Sequence, residues 1–336
     1  MTPADSLDRL NAFIRALPKT ETHLHIEGAL PFHFVQEAYP DRYDKVPDSW
    51  APDFKFKNFR QFEVELLDMV AAWYSSPERY YEAASEIFGR LHREQNVHYM
   101  ECSFASGIVE YAGGDIQANA EAIKSAAPKG FELKLFMGMH HAGYNENTYK
   151  WVDDTLNCPF IDGIDLHGPE DDPVPENLPD LWARYRASGR KTKAHAGEFC
   201  GSEFVRQVLK QFDIKRIQHG VRSVEDPELP ALLAEQGVIL DICPISNVKL
   251  DVVPSMAEHP MRQLIDAGIT CTISTDDPIS FGNSLDDEYR AMATELDFTF
   301  EELAQFARNG YAHGDLSKAD KAHWLSEIDK TLLDHA

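Results

Sequence analysis

Thr22-His23-Leu24-His25-Ile26-Glu27-Gly28 reads as the first strand of the chain, and it brings chemistry with it. Successive side chains of a β-strand point to opposite faces, so His23 and His25 share one face while Leu24 turns to the other. Two imidazoles then converge on one point. Neutral imidazole nitrogens bind Zn²⁺ at about 2.0–2.1 Å, so the pair suits a borderline-soft divalent cation. A lone HxH is more often a pair of surface or core histidines, so its meaning rests on what the rest of the chain brings to it.

Upstream, Leu7, Leu10, Phe13, Ile14 and Leu17 recur at helical spacing, which predicts an amphipathic helix over 6–17 that covers one end of the core and stops at Pro18. Downstream, from Ala29 to Asn96, no strand pattern appears, while Phe32, Phe34, Trp50, Phe54, Phe56, Phe59 and Phe62 supply apolar weight. Helices are expected there, one over 58–74 and another from Pro77 towards Asn96, with Ser76 as N-cap and proline at the first position. An insertion of that length would hang over the first strand's C-terminal end, as an apolar lid or as plain helix packing.

Beyond the insertion the pattern alternates. Strands are expected over 97–104 (VHYMECSF), 133–140 (LKLFMGMH), 161–168 (IDGIDLHG), 191–198 (KTKAHAGE), 216–220, 238–246 (VILDICPIS) and 270–277 (TCTISTDD). Helices are expected over 115–127, 146–156, 178–188, 202–212, 227–236 and 256–267, with more from Ser284 onward that close the structure and carry no assigned chemistry. Eight strands in alternation with helices, without linker, repeat or low-complexity run, predict an α/β fold: a (β/α)8 TIM barrel with extra helices and a long helical insertion after the first strand. Residues 1–336 are expected to form this single domain, although length and composition alone also fit two modest ones. No GxGxxG or GxxxxGK[ST] turn follows a strand, which weakens a nucleotide-cofactor reading.

The 56 acidic and 32 basic side chains give a formal charge of −24, which repels phosphate backbones and anionic lipid headgroups. Nucleic acid and membrane are therefore not expected as partners. The acidity otherwise reads as a solvated skin, and it does not identify a substrate. Cys102, Cys158, Cys200, Cys243 and Cys271 are scattered and odd in number, as in a reducing compartment. Met1 to Leu17 lacks a basic start followed by an apolar run, and no apolar stretch approaches the roughly 18 residues a membrane helix needs, so a cytoplasmic protein is expected. Oligomeric state is not legible.

In a barrel of this kind catalysis sits at the C-terminal ends of the strands. There stand His23 and His25, then His167-Gly168-Pro169-Glu170, His195-Ala196-Gly197-Glu198, His219-Gly220 and Asp276-Asp277. Singly, His195 and His219 read as satisfied structural histidines and Asp276-Asp277 as a turn or cap. Jointly, two histidines from one strand, one from another and a carboxylate from a third make a His3Asp set with one position open to water.

In order and spacing, HLHIEG (23–28), HAGE (195–198), RIQHG (216–220), CPISN (243–247) and STDDP (274–278) resemble the blocks of the adenosine deaminase family of the amidohydrolase superfamily, over nearly the whole chain. The resemblance implies a zinc enzyme that replaces the 6-amino group of an aminopurine, its small-molecule substrate, with oxygen and releases ammonia. It implies one Zn²⁺ per chain on His23, His25, His195 and Asp276, with Glu198 as proton donor to purine N1. His219 would orient and deprotonate the attacking water, Asp277 would meet N7, and the backbone of Gly168 would meet N3. Such a site needs an activated water and a carboxylic acid held protonated at neutral pH, which burial supplies.

Two departures bear on substrate. Gln218 replaces the family's usual glycine, and Glu27 stands where adenosine deaminases carry an aspartate tied to ribose recognition and free-adenine enzymes carry glutamate. The stretch 163–170 is nearer the nucleoside enzymes. An adenosine-type substrate is expected, with free adenine or an N6-substituted adenine as alternatives. Asp165-Leu166-His167 lacks the lysine that bridges two metals in related amidohydrolases, so a single metal is expected. A catalytically inactive barrel serving as a binding module would need a missing ligand or acid, and every position is filled.

Overall fold

The computed structural model describes residues 3–335, so Met1, Thr2 and Ala336 of the expected 1–336 span lie outside the described residues. Eight strands form one sheet in sequential order: β1 (Lys19–His25), β2 (Val97–Ala105), β3 (Glu132–His140), β4 (Gly163–His167), β5 (Lys191–Ala196), β6 (Arg216–His219), β7 (Ile239–Ile242) and β8 (Thr270–Ile273). Every neighbouring pair is parallel. The sheet closes where Leu24 bridges Asp276: Asp276 N donates to His23 O at 3.0 Å and His25 N donates to Asp276 O at 3.2 Å. The (β/α)8 barrel that the alternation predicts is therefore present, and its strands are buried on both faces as helix-covered parallel strands must be.

The strands stop earlier than their apolar pattern. β4, β5, β6 and β8 end before Gly168, Glu198, Gly220 and Asp276, and the chain turns there in the left-handed region: φ is +90° at Gly168, +75° at Gly197, +65° at His219 and +67° at Asp276. For a histidine and an aspartate that conformation costs on the order of 1–2 kcal/mol each, held by the surrounding structure. β7 is shorter for another reason. The residues expected as strand up to 246 include Pro244, which opens the helix Pro244–Lys249.

The expected helices are present with shifted bounds. Expected 256–267 breaks at Pro260, leaving the helix Met261–Asp266, and 146–156 contracts to Tyr149–Asp154 with a 3-10 turn after it. Helices Ser106–Tyr111 and Pro278–Phe281 add to the expected set. The insertion holds Phe32–Ala38, Phe59–Val70 and Pro77–Glu94. Asn58 caps the second of these by accepting from Gln61 N at 3.0 Å, whereas Ser76 makes no side-chain cap bond. Capping boxes at Ser284/Asp287 and Thr299/Glu302 open Leu285–Glu295 and Phe300–His313. Among the described residues no helix is long and apolar enough to cross a membrane, and all five cysteines are free.

The barrel's N-terminal half is plugged by a neutral quartet. Lys193 Nζ lies 2.5 Å from Glu101 Oε2 and 3.7 Å from Asp241 Oδ2, while Arg216 reaches Glu101 Oε1 at 2.9 Å and Asp241 Oδ1 at 2.5 Å. Buried charges are tolerated only when paired and hydrogen-bonded like this. Lys193 Nζ also donates to Thr22 O at 2.7 Å, which anchors the strand that carries His23 and His25. With the interior filled at this depth, the cavity that the histidines line lies at the other end.

Candidate active site

Of the residues singled out in the sequence, His25, Glu27, Gly168, His195, Glu198, His219, Asp276 and Asp277 line one cavity of about 600 Å³ at the C-terminal rim, and His23 lies buried just behind it. Phe59, Phe62, Leu66 and Leu67 from the insertion form one wall, so the insertion does stand over the end of β1.

The ligand atoms converge. His23 Nε2 lies 3.1 Å from His195 Nε2 and 3.3 Å from Asp276 Oδ1, and His25 Nε2 lies 3.2 Å and 3.4 Å from the same two atoms. His23 Nδ1 donates to Asp241 O at 3.0 Å and His195 Nδ1 to Leu166 O at 2.9 Å, which puts the proton of each ring on Nδ1. Their Nε2 lone pairs then face each other with no proton between them. Such a contact is repulsive unless a cation sits there, so the donor set fits a metal ion. His23, His195, His219 and Asp276 also each place one ligand atom within 4.8 Å of all the others, while His25 groups with Asp276 and Asp277. Geometry alone thus leaves His25 and His219 to be told apart.

Hydrogen bonding separates them. Met261 N–H, an unpaired donor at a helix start, donates to His259 Nδ1 at 3.1 Å, so the His259 proton is on Nε2. That Nε2–H donates to Asn247 Oδ1 at 3.2 Å, which turns the Asn247 amide nitrogen towards His219 Nδ1, again at 3.2 Å. His219 Nδ1 must accept. Its proton is consequently on Nε2, which faces the cavity 3.4 Å from Glu198 Oε1 and 3.9 Å from Asp276 Oδ2. A ring with N–H turned towards the cluster faces it as a donor, whereas His25 Nε2 has no such proton assigned by a neighbouring bond.

Glu198 sits on a loop clamped from the neighbouring strand's end: Glu170 Oε1 accepts from Glu198 N at 3.1 Å and its Oε2 accepts from Cys200 N. Burial pushes the Glu198 carboxyl well above the usual range, and the charges of Asp276, Glu170 and Asp277 push the same way. A cation in the cluster would offset Asp276 and leave burial, the larger cause. For Asp276 burial acts upward too, but His23, His25 and His219 outweigh it and hold the group well below the carboxylate range.

Three further positions singled out in the sequence line the same cavity. Glu27 Oε1 accepts from Tyr80 OH at 2.9 Å and Ala105 N at 3.0 Å, leaving Oε2 buried without a partner. Asp277 Oδ1 is likewise buried and unpartnered. A Cβ on Gly28 would lie 1.6 Å from that oxygen, so only glycine leaves Asp277 where it is. At Gly168, with φ of +90°, a Cβ would lie 2.5 Å from His140 Nδ1. Asn247, His259, Glu170 and Ser246, which donates to Asp276 Oδ2 at 2.7 Å, escaped the reading of the sequence as functional residues. For Ser246 and Asn247 a signal existed in the CPISN block; for Glu170 only its place after β4, and for His259 none.

Barrel and rim together place the protein among the TIM-barrel amidohydrolases. The family model for adenosine deaminase matches residues 18–331, and the chain belongs to the adenosine deaminase family, a family of hydrolytic deaminases. It is 32% identical to an adenine deaminase of Sphingopyxis alaskensis over 330 residues, covering 95% of this chain and 96% of the relative. It is also 32% identical to an aminodeoxyfutalosine deaminase of Streptomyces avermitilis over 336 residues, with 95% and 92% covered. Among solved structures, the adenine deaminase of Arthrobacter aurescens superposes with a TM-score of 0.84 at 23% identity, covering 94% of this chain and 99% of that one, a likeness of fold. An amidohydrolase of Burkholderia ambifaria with bound Zn superposes with a TM-score of 0.81 at 25% identity, covering 100% and 95%.

Proposed function

We propose that residues 1–336 act as a single-domain, zinc-dependent deaminase that converts a 6-aminopurine to its 6-oxo product and ammonia. The observation that carries the reading is a buried carboxyl, Glu198, which burial pushes well above the usual carboxylate range, standing beside the imidazoles and carboxylate of His23, His25, His195 and Asp276 in one cavity. His23, His25, His195 and Asp276 would hold one zinc. Bound there, zinc supplies a nucleophile at neutral pH by lowering the pKa of water towards about 7.

The chain's own residues do the rest. Glu198 gives its proton to N1, which makes C6 electrophilic, a general-acid contribution of about 10²–10⁴. His219 Nε2–H donates to the attacking oxygen and orients it. With its proton already on Nε2 the ring does not deprotonate that water, contrary to the role the family resemblance implies. Asp276 Oδ2, on the side of the carboxylate turned to Ser246 and His219, would accept the water's proton and pass it to the amine, which leaves as ammonia. Asp277 and the backbone of Gly168 meet N7 and N3.

The cavity favours an adenosine-type substrate, because a bare base fills only a fraction of about 600 Å³ and leaves the wall of Phe59, Phe62, Leu66 and Leu67 without contact. Glu27 supports a second reading, free adenine, since its unpartnered Oε2 would accept a hydrogen bond from a purine N–H. Incubation of the metal-loaded protein with adenosine, 2′-deoxyadenosine, adenine and N6-alkyl adenines decides between them. Ammonia release is expected, with highest kcat/KM on an N9-substituted purine. Release from adenine alone would transfer the reading to the free base, and release from none would leave a binding module.

A further inference from the structure

At the N-terminal mouth of the barrel, opposite the rim just described, lies a second cavity of about 230 Å³. Seven of the chain's 32 lysines and arginines line it, against three of its 56 aspartates and glutamates. On a chain of net charge −24 this is a local reversal of sign. Lys193 and Arg216 are neutralised inside by Glu101 and Asp241. Of the other five, Lys134 is paired as well, while Arg186, Arg190, Lys191 and Lys215 are not neutralised to the same degree.

Lys134 has close partners, Glu132 at 2.9 Å and Asp315 at 3.5 Å. Lys191 reaches a carboxylate only at 3.9 Å, sharing that same Asp315, and Arg186 only at 3.8 Å, on Asp213. Among the described residues no carboxylate lies within 4.0 Å of Arg190 or Lys215. Arg190 is nonetheless held in place: Nε donates to Ile161 O at 3.0 Å and one terminal nitrogen to Cys158 O at 2.8 Å. A guanidinium fixed by backbone carbonyls keeps its full charge and donors to spare.

We propose that this mouth binds a compact anion carrying phosphate, as one group or two linked groups. A guanidinium held by backbone carbonyls and flanked by lysine ammonium groups is a donor set that phosphate oxygens take. The cavity has room for such a group and for little more. A nucleic acid is too large for it, and the acidic remainder of the surface repels one.

Calorimetric titration of the intact protein at fixed ionic strength tests this, with inorganic pyrophosphate, orthophosphate and ribose 5-phosphate as separate arms. One saturable equivalent per chain is expected. Its affinity should fall at least tenfold in Lys191→Glu with Lys215→Glu and stay unchanged in Lys45→Glu with Lys57→Glu, an equal charge change on the insertion at the other end. Preference for pyrophosphate identifies linked phosphates, whereas uptake of ribose 5-phosphate identifies an organic phosphate monoester. No saturable uptake in any arm, or equal weakening by both pairs, overturns the proposal. So does a change of oligomeric state in the mouth variant without anion uptake, which would give the mouth to a second, acidic copy of this chain.

Discussion

Asn247→Asp changes one amide nitrogen to oxygen and little in shape, yet it should reverse the proton on His219. In the native chain the direction of every bond from Met261 N–H through His259 and Asn247 to His219 is set by the first donor. The carboxylate introduced by the substitution would still accept from His259, but its other oxygen would demand a proton from His219 Nδ1. Burial, with His23 adding, holds His219 well below the ordinary imidazole pKa, so the ring is neutral and has one proton to give. Nε2 would lose it, and the attacking oxygen would lose a donor. One preorganised donor of this kind is worth about 10²–10³ in kcat. Asn247→Leu removes both contacts and leaves the two His219 tautomers nearly free to exchange, so it should cost about 1–3 kcal/mol of stability for the orphaned His259 N–H but less in kcat. The closer mimic should therefore be the slower enzyme. Lower pH should restore Asn247→Asp selectively, because a doubly protonated His219 carries Nε2–H again. The assay is kcat and KM for ammonia release from about pH 5.5 to 8.5, with metal content measured on each variant. An Asn247→Asp enzyme at native speed at pH 8, or slower turnover in Asn247→Leu, would refute the relay.

Two other substitutions test the rim. Glu198→Gln should keep about one equivalent of zinc by elemental analysis and lose kcat by about 10²–10⁴, since it cannot supply a proton; undiminished turnover would reassign the donor. Gly28→Ala should displace Asp277, whose Oδ1 would lie 1.6 Å from the new methyl, raising KM at least tenfold while metal content holds. An unchanged KM would remove Asp277 from substrate contact.

The barrel was legible because helix-covered parallel strands write themselves as apolar runs, and eight such runs alternate with helical periods. The ends of those runs were not legible. An apolar pattern records burial, and burial continues past the strand ends at Gly197, His219 and Asp276, where the backbone turns left-handed inside the core. Of the proposed ligands, His23 and His25 lie within an HxH motif whose spacing follows from the strand's own two-residue period, while His195 and Asp276 lie in the HAGE and STDDP blocks. What tells His25 from His219 has no such period. It depends on a helix-start amide at Met261, reached through His259 and Asn247 from a different strand end, and no local pattern records which way an amide faces. The basic mouth is hidden for the same reason. Its four incompletely neutralised cations run from Arg186 to Lys215, and a sum of −24 over the chain conceals them until the barrel brings a helix end and two strand starts to one mouth. Local periodicity therefore recovers which groups a site contains, while their protonation and the sign of a local field are properties of closure.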